Sequence, residues 1–177
     1  MVFVTVGSYD GNLGGTAGAA AICQTDADAA GLPGKYKAWL STTLTYGGDA
    51  ALQDEPLNTF NHSTVPYYEP DGTTEIASNW STFASAAPSA AIAEHADASP
   101  ELYAGGADSS FVWTGTADNG TYSNSFDGDC LAWTDNTVAN GGDGGEPTVS
   151  FPQYWTSIGP DSAEACTVPG HLYCVEQ

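Results

Sequence analysis

Four cysteines, Cys23, Cys130, Cys166 and Cys174, are spread along a 177-residue chain, and any fold it adopts has to place them. Four thiols permit three disulfide pairings. Their separations contain no CxxC pair of the kind that builds a zinc site. Two bridges in an extracytoplasmic setting is the reading that suits them; four reduced, buried thiols in a cytosolic protein is the alternative. At 18.2 kDa the chain suits one domain with its own core, spanning residues 1–177.

Both basic residues of the chain, Lys35 and Lys37, lie in the stretch GKYKAWLS, against 22 acidic residues and a formal net charge of −20. Charge of one sign keeps a protein soluble but makes its compact state repel itself. Strong salt relieves that repulsion, because screening shortens to roughly 3 Å at 1 M ionic strength. The composition therefore reads as a halophilic adaptation to brine, with an ordinary acidic secreted domain as the alternative. Nucleic acid is excluded as a partner, since phosphate binding needs clustered cations. Anionic membrane surfaces are excluded for the same reason. No apolar run approaches the ~20 residues that a membrane span needs, so no membrane insertion is expected. The opening stretch MVFVTVGSYDG has neither a basic segment nor an apolar run of signal length and starts directly in a strand. That suits a trimmed mature domain or a piece of a larger protein.

VFVTV at 2–6 is β-branched and aromatic, as strands are, and the glycine-rich GSYDGNLGG closes it. Thr16 is placed to cap a helix from about Ala17 to Ala30, with Gly31 as its stop and Pro33 beyond. Ala20, Cys23, Ala27 and Ala30 then form one stripe of small residues, which implies close packing on a sheet. KYKAWLSTTLTY follows as a strand. Its period of two puts Tyr36, Ala38 and Leu40 on one face and Lys35, Lys37 and Trp39 on the other. VPYY at 65–68 is strand-like, PDGT at 70–73 a tight turn, and Ser78 is placed to cap a short helix over NWSTFAS. Residues 84–110 read as a long surface excursion. SFVWTG is a strand, DNGT a turn, Cys130 and Trp133 lie three apart on a helical turn, NGGDGGEP is a flexible loop, and HLYCVEQ is a closing strand. Lys37 is expected to pair with a specific carboxylate or backbone carbonyl.

Several of these landmarks occur in a telling order. AAAICQTDADAAGLPGKYKAWLS comes first, then VWTG, then Cys130 with Trp133 three later, then Cys166 and the closing LYCVEQ. The string resembles the endostatin-like branch of the C-type lectin superfamily, most closely a bacterial domain of that branch with no assigned function. The likeness covers about residues 2–46 and 110–177, with the middle joined through NWSTF. It implies an α+β, C-type-lectin-like fold: a twisted antiparallel sheet with flanking helices, first and last strands paired, and loops projecting from one end. It also implies nested bridges, Cys23 to Cys174 and Cys130 to Cys166.

Calcium is the cofactor to weigh, because carboxylate and carbonyl oxygens suit it and many lectins of the superfamily use it. The candidate ligands are Asp127 and Asp129 in FDGD, Asp135 and Asn136 in WTDN, and Asp143 and Glu146 in GGDGGEP. WTDN resembles the superfamily's Trp-Asn-Asp motif only in part, and no window fits an EF-hand. His62, His95 and His171 are too scattered for zinc. Trp39, Trp113 and Trp133 lie inside the resembling motifs and belong to the core. Tyr67, Tyr68, Tyr154 and Trp155 fall in loop-rich segments, where an exposed ring stacks on a sugar or anchors a protein contact, with core or edge packing as the alternative for each. Asn61, Asn79 and Asn119 open N-x-S/T sequons.

No nucleophile elbow, HExxH motif or phosphate-binding glycine loop is present, so the chain is not expected to be an enzyme. The expected role is non-catalytic recognition or adhesion at the cell surface, in the extracellular space or on a virion, with a glycan or a surface protein bound by loops. The competing expectation is a self-assembling structural subunit of a surface layer, filament or virion appendage.

Overall fold

The computed structural model describes residues 1–43, 54–85, 88–101, 111–123, 128–146, 154–158 and 163–177. In chain order its elements begin with β1 (Val2–Val4), α1 (Gly15–Ala30), β2 (Tyr36–Ala38), α2 (Pro56–Thr59), β3 (Tyr67–Tyr68), β4 (Glu75–Ala77) and α3 (Trp80–Phe83). They continue with β5 (Val112–Trp113), α4 (Cys130–Trp133), β6 (Gly141–Gly142), β7 (Gly144–Gly145), β8 (Glu164–Ala165) and β9 (His171–Glu176). This is a mixed α+β fold with a small sheet and few helices. Among the described residues no helix is long and apolar enough to cross a membrane.

The last strand organises the sheet. β9 pairs antiparallel with β1, through Phe3 opposite Cys174, and with β2, through Ala38 opposite the same Cys174. β5 lies beside β9 in parallel and β7 beside β5 antiparallel, so the sheet is mixed and not the purely antiparallel one expected. Side chains alternate across it with a period of two. Leu172 and Cys174 of β9, Phe3 of β1 and Trp113 of β5 face one core, while Tyr173, Val175, Val2, Val4 and Val112 face the other. Tyr36, Ala38 and Leu40 join the first core and Trp39 the second, as the alternation of GKYKAWLS requires.

α1 packs on the first face through Ala19, Cys23 and Ala27, a stripe displaced at its beginning from the expected Ala20. Its N-cap is Gly14, not Thr16; the Thr16 hydroxyl instead donates to Asp54 Oδ2 at 2.5 Å. Gly31 ends it with a positive φ of 73°, its N–H bonding Asp28 O while Leu32 N–H reaches back to Ala27 O. Cys23 of α1 is bonded to Cys174 of β9, and Cys130 to Cys166, which is the nested arrangement. The two bridges are compatible with an extracellular or secreted location.

Three segments differ from the sequence expectation. Ile92 and Ala96 are buried and Val4 N–H bonds Glu94 O, so part of the supposed excursion 84–110 is core; 86–87 and 102–110 lie outside the described residues. The glycines of NGGDGGEP are β6 and β7, flanking a fully buried Asp143. They are glycines for lack of room: a Cβ on Gly142 would stand 2.4 Å from Trp113 and one on Gly145 2.0 Å from the Trp155 carbonyl. α4 is a left-handed turn. Cys130, Leu131, Ala132 and Trp133 have φ of 46°, 52°, 57° and 60°. Such a conformation costs L-residues about 1–2 kcal/mol each. It is held by Trp133 N–H to Asp129 O, by Asp129 Oδ1 accepting Ala132 N–H at 3.1 Å, and by Trp133 Nε1–H donating to Ser41 O at 2.8 Å. Disulfide-bonded Cys130 is its first residue.

Candidate functional site

Asp129, Asp135 and Asp143, all weighed for calcium, each accept hydrogen bonds from protein groups. Asp127 lies outside the described residues. Asp129 is buried and accepts from Thr42 Oγ1, Thr43 N–H and Thr43 Oγ1 at 2.8–3.0 Å, in addition to Ala132. Asp143 accepts from Ser123 Oγ, from Ser157 Oγ at 3.0 Å and from Gly144 N–H at 2.9 Å. Both acids are thus cross-links that tie loops to the sheet, with hydrogen bonds substituting for lost hydration. Asp135 folds onto its own loop, accepting from Asn140 Nδ2 and from Thr137. The side-chain bonds from Asn140 and Thr137 hold its carboxyl below the usual range. Asn136 donates its amide to Asp10, and half-buried Glu146 is fixed by its backbone N–H to Tyr154 O. Among the described residues no three His, Cys, Asp or Glu side chains are grouped to hold a metal.

The aromatic candidates divide in two. Tyr67 and Trp155 are core residues, 3% and 1% exposed. Trp155 lies 5.1 Å from Trp39 and 5.2 Å from Phe83, ring to ring, and Tyr67 lies 5.1 Å from Phe83. Tyr68 and Tyr154 are half-buried, and Tyr68 OH reaches Glu75 at 3.5 Å. Trp39, Trp113 and Trp133 are fully buried.

One surface hollow brings an aromatic stack and small polar groups together. It has a volume of about 360 Å³ and is lined by His62, Ser63, Thr64, Asn79, Trp80 and Ser81. Local sequence builds it. Asn79, not Ser78, caps α3, its Oδ1 accepting Thr82 N–H at 3.0 Å. The short helix then drives Phe83 and most of Trp80 inward, 5.0 and 5.9 Å from Trp39. Trp80 N–H bonds Ser63 O at 2.9 Å, which lays the 61–64 segment alongside α3. Exposed His62 stacks flat on Trp80, with centroids 4.4 Å apart and planes 7° off parallel. Its Nε2 lies 3.0 Å from Leu57 O; a carbonyl only accepts, so this nitrogen carries the proton and Nδ1 is left as an acceptor in the neutral ring. The arrangement offers an open ring face with hydroxyl and amide groups beside it. Nothing in the sequence around His62 marks it out; only the contact with Trp80 distinguishes it.

The other histidines are engaged elsewhere. His95 spans Val4 O at 3.1 Å and Glu101 at 2.8 Å, and His171 contacts Thr5 O at 2.8 Å. Of the sequons, Asn61 and Asn119 are exposed, whereas Asn79 is half-buried and committed to its helix cap.

Residues 7–150 match the family described as protein of unknown function (DUF1554). The chain belongs to that family. The DUF1554 match takes in Cys23 and Cys130 but stops before Cys166 and Cys174, so it contains one half of each bridge. It takes in the whole of the His62–Trp80 hollow. Among curated proteins, none matches the chain.

Proposed function

We propose that this domain is a non-catalytic recognition module of a cell surface or extracellular space, built on an endostatin-like, C-type-lectin-like scaffold, and that it binds a glycan at the His62–Trp80 hollow. The observation that carries the reading is the exposed imidazole laid flat on Trp80 and ringed by Ser63, Thr64, Asn79 and Ser81. A sugar presents one apolar ring face and a rim of hydroxyls, and such a platform with small polar neighbours matches both. The disulfide-linked sheet supports the reading by giving the surface segments a rigid base. Strong brine remains the setting proposed for so acidic a chain, because short-range stacking survives screening that removes longer-range attraction.

The second reading is a structural subunit that contacts copies of itself. Its support is the exposure of apolar side chains such as Val6, Val65 and Val138, 62%, 64% and 78% exposed. A glycan array read in high salt, with wild type and His62→Ala, separates the two. Recognition predicts a bound glycan set that His62→Ala loses while its melting temperature stays unchanged. No bound glycan, together with concentration-dependent assembly, would leave the structural reading standing alone.

A further inference from the structure

A second cavity is lined by one of the two lysines of the chain. About 150 Å³ in volume, it lies between the start of α1, β2 and α2, and its walls include Thr16, Ala17, Ala20, Lys37, Asp54 and Phe60. That space is several times what one water molecule requires. Lys37 is fixed from behind. Its Nζ donates to Thr59 O at 2.7 Å and lies 5.8 Å over the Phe60 ring. An ammonium has three N–H donors, so two are left.

Asp54 is fixed from the other side. Thr42 N–H bonds its carbonyl at 2.9 Å, and its Oδ2 accepts the Thr16 hydroxyl at 2.5 Å. The carboxylate keeps further lone pairs for an incoming donor. The ion pairs among the described residues are Met1–Glu176 and His95–Glu101, so Lys37 and Asp54 line the same cavity without forming a direct ion pair. The rest of the wall is largely apolar, with Ala17, Ala20 and Ala38 beside the larger Leu40 and Phe60.

We infer that this cavity binds a small zwitterion of the α-amino-acid type. Its carboxylate would meet Lys37, its ammonium Asp54, and its carbon skeleton the alanine wall. The two opposite poles decide between this class and simpler ions. In one small space a free anion meets Asp54 beside Lys37, and a free cation meets Lys37 beside Asp54. A molecule with both charges and no net charge meets neither obstacle, and its contacts are short enough to persist in strong salt.

The test is calorimetric titration of the whole chain with L-alanine as probe, beside acetate and methylammonium, each of which carries a single pole. Alanine is expected to bind saturably, and either single-pole analogue about tenfold more weakly, the factor that one charge-assisted hydrogen bond carries. Asp54→Asn and Lys37→Gln should each weaken alanine about tenfold, with folding checked by circular dichroism. If one variant fails to fold, the other and the analogue series decide. Absence of saturable alanine binding overturns the inference. So does acetate binding as tightly as alanine, or wild-type affinity in a folded Asp54→Asn.

Discussion

Removing the Cys23–Cys174 bridge tests the construction of the whole scaffold. The bridge joins residues 151 apart in sequence, and the Cys130–Cys166 bridge nested within it joins residues 36 apart. Chain-entropy arithmetic assigns about 5 kcal/mol to the outer closure and about 4 kcal/mol to the inner one. Against total stabilities of roughly 5–15 kcal/mol, loss of the outer bridge removes a third or more of what keeps the domain folded. Cys23→Ala/Cys174→Ala and Cys130→Ala/Cys166→Ala each delete two fully buried sulfurs, so cavity costs nearly cancel in the comparison. The inner variant also frees the left-handed turn that starts at Cys130, which lowers its cost further. Denaturant unfolding at room temperature and fixed high salt, extrapolated linearly, gives both values. The outer variant should lose more, by about 1 kcal/mol or above. An equal loss, or a larger one for the inner pair, would refute closure of the long loop as the dominant effect.

Asp129→Ala strips four hydrogen bonds from a buried carboxylate and leaves the Thr42 hydroxyl and Ala132 N–H without their partner. A loss of about 3–5 kcal/mol is expected in the same unfolding assay, with a changed near-ultraviolet signal from Trp133, which sits on the turn that Asp129 caps. Burial first, and then the neighbouring Glu176 carboxylate, push the Tyr36 phenol up to about 12 from its ordinary value of 10.0. Its contribution to stability is therefore intact below pH 10 and lost as pH rises from about 10 to 12, because there the unfolded chain ionises and the folded one resists. Tyr36→Phe should flatten that alkaline decline at little cost at neutral pH, since the Tyr36 hydroxyl has no hydrogen-bond partner among the described residues. A decline of unchanged size in the variant would remove Tyr36 as its cause.

Much of the scaffold was readable because it depends on neighbours in sequence. The alternation YKAWL sends Tyr36, Ala38 and Leu40 to one core and Trp39 to the other, and strand geometry leaves no choice once the segment is extended. The glycine after Ala30 ends α1 for an equally local reason, the freedom of Gly31 to take a positive φ. Lys37 was legible as a paired cation, but its partner, the Thr59 carbonyl, was not. The hollow at His62 was half legible: the α3 segment could be read from NWSTF, whereas the imidazole's seat on Trp80 could not.

By itself the sequence determined which residues alternate and where the long helix stops. Tertiary structure alone decided that Tyr67 and Trp155 are core, that the glycines around Asp143 are closely packed strand residues, and that Cys130–Trp133 winds to the left. The reason is range. Period and chirality preferences act within a few bonds, whereas the space left beside Gly142 is set by Trp113, and the handedness of the turn is held by Ser41 and Cys166. Those partners become neighbours only after the chain has closed.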